Sequence, residues 1–196
     1  MKLYMSQGSG NAYKVRVLLA LLKVPFEPVL LDTRKGEAKT PEYRRLNARG
    51  EVPVIVDGET VVWDSSACLV YVARKFGGED WLPTAPAAAA QVQQWLALTA
   101  SEIQFGLQYG RRGVGRNVWT AGTLEQCQAL GRIALDTLEQ RLAAHDWLVG
   151  TRPTIADLAC FPYVETAPEG RMPLEPYPGV VAWLARCKAL PGWPPR

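Results

Sequence analysis

Two short stretches carry side chains that could do chemistry. In "WDSSACLVYVARKFG" the pair Asp64–Ser65 stands where an apolar, strand-like run gives way to a helical pattern. The first N–H groups of a helix have no partner within it, and the helix dipole adds positive charge there. Asp64 and Ser65 therefore mark either a carboxylate site or an ordinary helix cap. In "MSQGSGNAYK", Ser9 and Asn11 bring a hydroxyl and an amide to a glycine-rich turn that opens another helix, though "SGN" also reads as a plain turn with Asn11 as its cap. Between these stretches Val52–Pro53 opens a strand, and a proline, which cannot donate to a ladder, is tolerated there because pairing only starts at that point. By themselves, Lys39 after the second strand reads as a solvated lysine and Glu102 on a long helix as an exposed glutamate.

Other chemistries lack their residues. Cys68, Cys127, Cys160 and Cys187 are scattered, with no C-x-x-C, and His145 is the one histidine of the chain. That is neither metal-site spacing nor a disulfide framework, so no metal is expected. Each cysteine falls among alanines, leucines or aromatics and reads as a small buried hydrophobe. His145, in "AAHDWL" at a helix end, reads as a surface residue. Twenty-two basic and nineteen acidic residues give a net charge of +3 without a basic stripe, which argues against nucleic acid. The N-terminus has no signal-like apolar region and no run approaches the ~20 apolar residues that cross a bilayer. A cytoplasmic enzyme or binding protein, without membrane contact, is expected.

The elements that must position these residues follow from periodicity. "KLYM" is a strand, and "NAYKVRVLLALLK" sets Val15, Leu18, Leu19 and Leu22 on one helical stripe that Pro25 ends. "EPVLLD" is the second strand; "TPEYRRLN" is a short helix capped by Thr40 with Pro41 at its first position. "VPVIVDGETVVW" is a hairpin around Asp57–Gly58, and "SSACLVYVARKFG" a closing helix ended by Gly77 and Gly78. The order βαβαββα is an α/β, thioredoxin-like pattern over residues 1–81. A Pro/Ala linker at 82–86 precedes an all-helical C-terminal domain, 87–196, with helices expected near 87–110, 123–144, 155–165 and 179–189. Thr123 with Gln126, and Thr154 with Asp157, read as capping boxes.

In this order, "SGNAYKVRVLLALL", "NARGEVPVIVDG", "WDSSACLVYVARKFG", "RPTIADLACF" and the "LPGW" ending together resemble the cytosolic glutathione S-transferase superfamily over essentially the whole chain. The resemblance implies glutathione as co-substrate on the N-terminal domain. The Asp64 carboxylate takes its γ-glutamyl ammonium, while Ser65 and the helix amides take the adjoining carboxylate. A cis Val52–Pro53 bond lets the Val52 backbone pair with the cysteinyl unit like an added strand. Lys39 reaches the glycine carboxylate, and Glu102 the ammonium of the glutathione held by the partner in a homodimer. Tyr109, Arg111 and Arg112, in "YGRRGVGR", either line the co-substrate site or belong to a mobile loop.

For the sulfur, Met5 stands where tyrosine-type members carry their hydroxyl, and the cysteine of other bacterial members, expected near Gly10, is missing. What remains is similar to the bacterial Ser/Thr-x-Asn pattern, with Ser9 and Asn11 as catalytic donors that favour a thiolate without a base. The implied activity is transfer of glutathione to a small hydrophobic electrophile. Two alternatives stay open: a glutathione-dependent peroxidase or disulfide reductase, and a non-catalytic partner-binding protein on the same fold.

Overall fold

The computed structural model describes residues 1–196, which divide into two compact units: Met1–Leu82 with Pro191–Arg196, and Pro83–Leu190. In the first unit the order is β1 (Lys2–Met5), α1 (Gly10–Leu21), β2 (Glu27–Leu30), α2 (Pro41–Arg44), β3 (Val54–Asp57), β4 (Thr60–Trp63) and α3 (Ser65–Val72), followed by a short α4 (Gly78–Trp81). The sheet runs β2-β1-β3-β4, with β2 parallel and β3 antiparallel to β1, as a thioredoxin-like sheet does. Pro28 is tolerated in β2 because that strand is an edge. Gly58, at φ +61°, takes the first position of the two-residue β3–β4 loop, where a positive φ matches the twist of the hairpin.

Most of the stripe on α1 is buried: Val15, Leu18 and Leu19 are fully covered, with Ile55 of β3 and Leu69 of α3 also at zero exposure, whereas Leu22 is the helix's C-cap and only partly buried. The C-terminal residues, read with the helical domain from sequence, return instead to α1. Trp193 Nε1 donates to the Tyr13 hydroxyl at 2.9 Å, which in turn donates to the Pro194 carbonyl at 2.9 Å.

The second unit is all helical. A long helix starts with α5 (Pro86–Leu98), widens into a π-helical stretch over Thr99–Gln108 and continues as α6 (Tyr109–Arg116). The "YGRRGVGR" segment is therefore a helix, not a loop. There follow α7 (Ala121–Leu142), α8 (Ile155–Glu165) and α9 (Pro178–Lys188). Helix α7 begins a turn earlier than its spacing predicts: Thr120 is the cap, accepting from Thr123 N at 3.2 Å. The expected box at α8 forms, with Thr154 Oγ1 accepting from Ala156 N and Asp157 Oδ2 from Thr154 N. Asp157 is wholly buried and also accepts from Leu148 N and from the indole of buried Trp183, so the cap ties α8 to α9. Burial pushes its carboxyl above the usual range, against the hydrogen bonds that pull it down. No helix is long and apolar enough to cross a membrane.

Candidate functional site

The N-termini of α1 and α3 meet. At α1 the cap is Ser9, not Asn11: its backbone is extended (φ −74°, ψ 110°) and its Oγ accepts from Ala12 N at 3.2 Å. Asn11 lies inside the first turn, where its Oδ1 accepts from Lys14 Nζ at 2.9 Å. Across the gap Ser65 Oγ, on a side chain buried to 6% exposure, donates to that same Oδ1 at 3.3 Å. This bond joins the two stretches from which the sequence promised chemistry. Ser9 Oγ keeps its proton to donate, and Asn11 Nδ2 makes no hydrogen bond within the protein.

Asp64 is both a cap and an exposed carboxylate. Its Oδ1 accepts from Ser66 N at 2.9 Å and Ala67 N at 3.3 Å, which takes two of the free amides of α3 and leaves the Ser65 N–H outside the cap. Its Oδ2 faces Arg49 Nη1 at 3.9 Å. The residue sits at φ +75°, ψ 133°, a conformation rarely held by a side-chain-bearing residue and costing about 1–3 kcal/mol. Arg49 also pairs with Glu51 at 3.0 Å, so a row of alternating charge flanks the head of α3.

The Val52–Pro53 bond is cis. Val52 packs its side chain on the cluster of Ala38, Tyr43 and Val54, while Tyr43 Oη and Asn47 Nδ2 both donate to the Glu51 carbonyl at 2.8 Å and hold the segment. The N–H and C=O of Val52 have no partner in the protein. Lys39 donates to the Arg49 carbonyl at 2.8 Å, so its ammonium is anchored rather than free in solvent. Glu102 lies in the second unit, half-buried, accepting from the Ser101 hydroxyl. In that unit too, Tyr109 uses its carbonyl to hold the Trp119 indole at 2.7 Å, and Arg111 pairs with Glu169.

The four cysteines are buried free thiols; desolvation holds the Cys68 thiol at about 12, so it is no nucleophile near neutral pH. His145 is exposed. No group of three His, Cys, Asp or Glu side chains is placed to hold a metal ion.

Residues 8–75, which include both helix N-termini and the cis-proline segment, match the family model of the glutathione S-transferase N-terminal domain, and residues 121–186 match that of its C-terminal domain. The chain belongs to the glutathione S-transferase family. Glutathione S-transferase 3 of Zea mays is 32% identical over 200 residues, 96% of this chain and 86% of that protein. A solved glutathione S-transferase from Xanthobacter autotrophicus py2 is 35% identical with a TM-score of 0.89, over 97% of this chain and 94% of that one. The glutathione transferase URE2P6 of Phanerochaete chrysosporium, solved in complex with oxidized glutathione, is 26% identical with a TM-score of 0.86, over 97% and 91% of the two chains.

Three residues of the site escaped the sequence reading. Lys14 is 1% exposed and sits one turn before Leu18 on the apolar stripe of α1, and a lysine on a core stripe was the available signal. Arg49 and Glu51 carried none, because their ion pair and its approach to Asp64 depend on the path of the chain around Pro53.

Proposed function

We propose that this family member binds glutathione on its first unit and presents the tripeptide's thiolate to a hydrophobic electrophile, forming a thioether. The observation that carries this reading is the Ser65–Asn11 hydrogen bond, because it sets a charge-reading helix end beside neutral donors within reach of one ligand. In this reading Asp64 Oδ2 takes the γ-glutamyl ammonium, and Ser65 takes the neighbouring carboxylate through its N–H and hydroxyl. The unpaired Val52 backbone takes the cysteinyl amide and carbonyl, and Lys39 offers a remaining N–H to the glycine carboxylate. Ser9 Oγ and Asn11 Nδ2 then donate to the sulfur. Hydrogen bonds to the ionised form, at the positive end of α1, favour the thiolate without a proton-accepting side chain. Attack on carbon forms the C–S bond as the leaving group departs with its electron pair. The protein acts as a homodimer, as its family does.

A second reading, reduction of a disulfide by the same thiolate, is favoured by the relative that holds oxidized glutathione. The thiolate would attack one sulfur of a mixed disulfide, the S–S bond would break, and the other thiol would leave as thiolate. The protein needs no cysteine of its own for this, consistent with the unreactive Cys68.

The test is calorimetry with glutathione together with a panel of aryl halides, peroxides and mixed disulfides. Saturable binding with aryl-halide turnover is expected. Binding with turnover of disulfides alone would replace the first reading by the second. No binding and no turnover would refute both and leave a partner-binding protein on this fold.

A further inference from the structure

Lys14 places a charge in the core of the first unit. It is 1% exposed and ranks among the largest fully buried side chains of the protein, in a set otherwise made of aliphatic and aromatic residues. Burying an ammonium is costly, and replacing such a charge by an apolar side chain of similar volume is often neutral or stabilising. A fully buried lysine calls for a reason beyond packing.

One of its contacts points to such a reason. Lys14 Nζ donates to Asn11 Oδ1 at 2.9 Å, one helical turn away. An ammonium has donors only, so the atom of Asn11 that faces it must be the carbonyl oxygen. Ser65 Oγ reaches the same oxygen from α3 at 3.3 Å. The Asn11 carboxamide is thus fixed in one of its two orientations. Were it turned over, an oxygen would stand where Nδ2 stands now, and a thiolate beside it would meet an acceptor.

We propose that Lys14 is a positioning residue for the reaction: by holding Asn11 Oδ1 it keeps the amide donor Nδ2 turned toward the glutathione sulfur and, through the carboxamide, polarises that donor. The inference rests on the proposed reading of Asn11 as a donor to the thiolate. A hydrogen bond accepted at one end of an amide strengthens the one donated at the other, and the effect is larger where the dielectric is low. Ser65 joins the network from the ligand-anchoring side, so the group that reads the γ-glutamyl head also braces the group that manages the sulfur.

The experiment compares the full chain with Asn11→Ala, Lys14→Met and the double variant, reading the ultraviolet absorbance of the bound glutathione thiolate against pH. Thermal melting confirms folding. Asn11→Ala should move the titration midpoint upward by about one unit, the worth of one hydrogen bond to the ionised form. Lys14→Met should move it in the same direction by as much or less, with glutathione affinity within about threefold of the parent. In the Asn11→Ala background Lys14→Met should add nothing, because its route is gone. If Lys14→Met does not fold, Lys14→Gln takes its place; its amide can still donate to Oδ1 without the charge, so a smaller upward shift that vanishes in the Asn11→Ala background is expected. A Lys14 substitution that leaves the midpoint unmoved while Asn11→Ala moves it overturns the inference and spares the Asn11 reading. A shift that persists in the Asn11→Ala background overturns it too, since the charge would then act directly. If Asn11→Ala itself moves nothing, the reading of Asn11 fails and the inference falls with it.

Discussion

Asp64 is asked to do two jobs that substitution can separate. Its Oδ1 caps α3 through Ser66 N and Ala67 N, and its Oδ2, beside Arg49, is the group proposed to take an ammonium. Asp64→Asn keeps a carbonyl oxygen for the cap and a residue type that tolerates positive φ, but it removes the charge. A hydrogen bond to a charged group is worth about 1.5–3 kcal/mol. The Asp64 side chain is 43% exposed, so solvent screening brings the expected loss down to about 1–2 kcal/mol, or roughly 5- to 30-fold in glutathione affinity. Stability should change little. Asp64→Gly gives the complementary case: it loses the cap, worth about 1 kcal/mol, but relieves a φ of +75° that costs a similar amount, so it too should melt near the parent while binding glutathione weakly. Asp64→Ala loses the cap and keeps the strain, and should be the least stable of the three. Calorimetry gives the affinities and thermal melting the stabilities. A folded Asp64→Asn protein that binds glutathione as the parent does would show that Asp64 is a cap only, and the assignment of the ammonium would be refuted.

Two further outcomes follow from the packing and the charges. Asp157→Ala would strand Leu148 N, Thr154 N and the Trp183 indole, three buried donors at about 1–3 kcal/mol each, so denaturant unfolding should show a loss of at least about 3 kcal/mol; a change under 1 kcal/mol would mean that water or rearrangement replaces the carboxylate. The Asp57 carboxyl is held below its usual range by hydrogen bonds from Lys75 and Tyr71, so the unfolded chain binds the extra proton: its contribution is present above about pH 4 and lost as pH falls through the lowered folded value. Asp57→Asn should accordingly flatten the acid limb of a stability-against-pH curve, and an unaltered limb would contradict this.

Periodicity made the order of strands and helices along the chain legible, because those elements owe their form to stripes such as Val15, Leu18 and Leu19 that any packing partner would bury. Helix starts were less legible. At α1 and α7 the chain offers two polar residues a few positions apart, Ser9 and Asn11, then Thr120 and Thr123. The cap goes to whichever lies on extended backbone, and spacing does not report that. The glycines of "YGRRGVGR" read as flexibility, yet one of them serves close approach: a Cβ on Gly113 would overlap the Trp119 ring. Such a glycine looks the same in sequence as one in a mobile loop. Of the candidate site, the two stretches around Asn11 and Ser65 were readable, and their meeting was implied only by resemblance. The return of Trp193 to Tyr13 was not readable, since a single hydrogen-bonded pair 180 residues apart leaves no pattern along the chain.

The missing base carries the mechanistic weight of the site. The first unit contains no histidine, its one cysteine is held protonated by burial, and Asp64 is occupied by amides and Arg49. A thiol placed there can lose its proton to solvent but not to a side chain suited to receive it near neutral pH. In the proposed reading, activation comes from what is fixed before the ligand arrives: the positive ends of α1 and α3, the Ser9 hydroxyl already committed as an acceptor, and the Asn11 amide, oriented on our inference by Lys14. Each of these groups is ordered by the fold and pays no reorganisation as charge develops on sulfur. The proposed role would also give a reason for the position of the costly Lys14. A charge at the surface would be screened by water, whereas one beneath the Asn11 amide acts through a hydrogen bond in a medium where such bonds are strong.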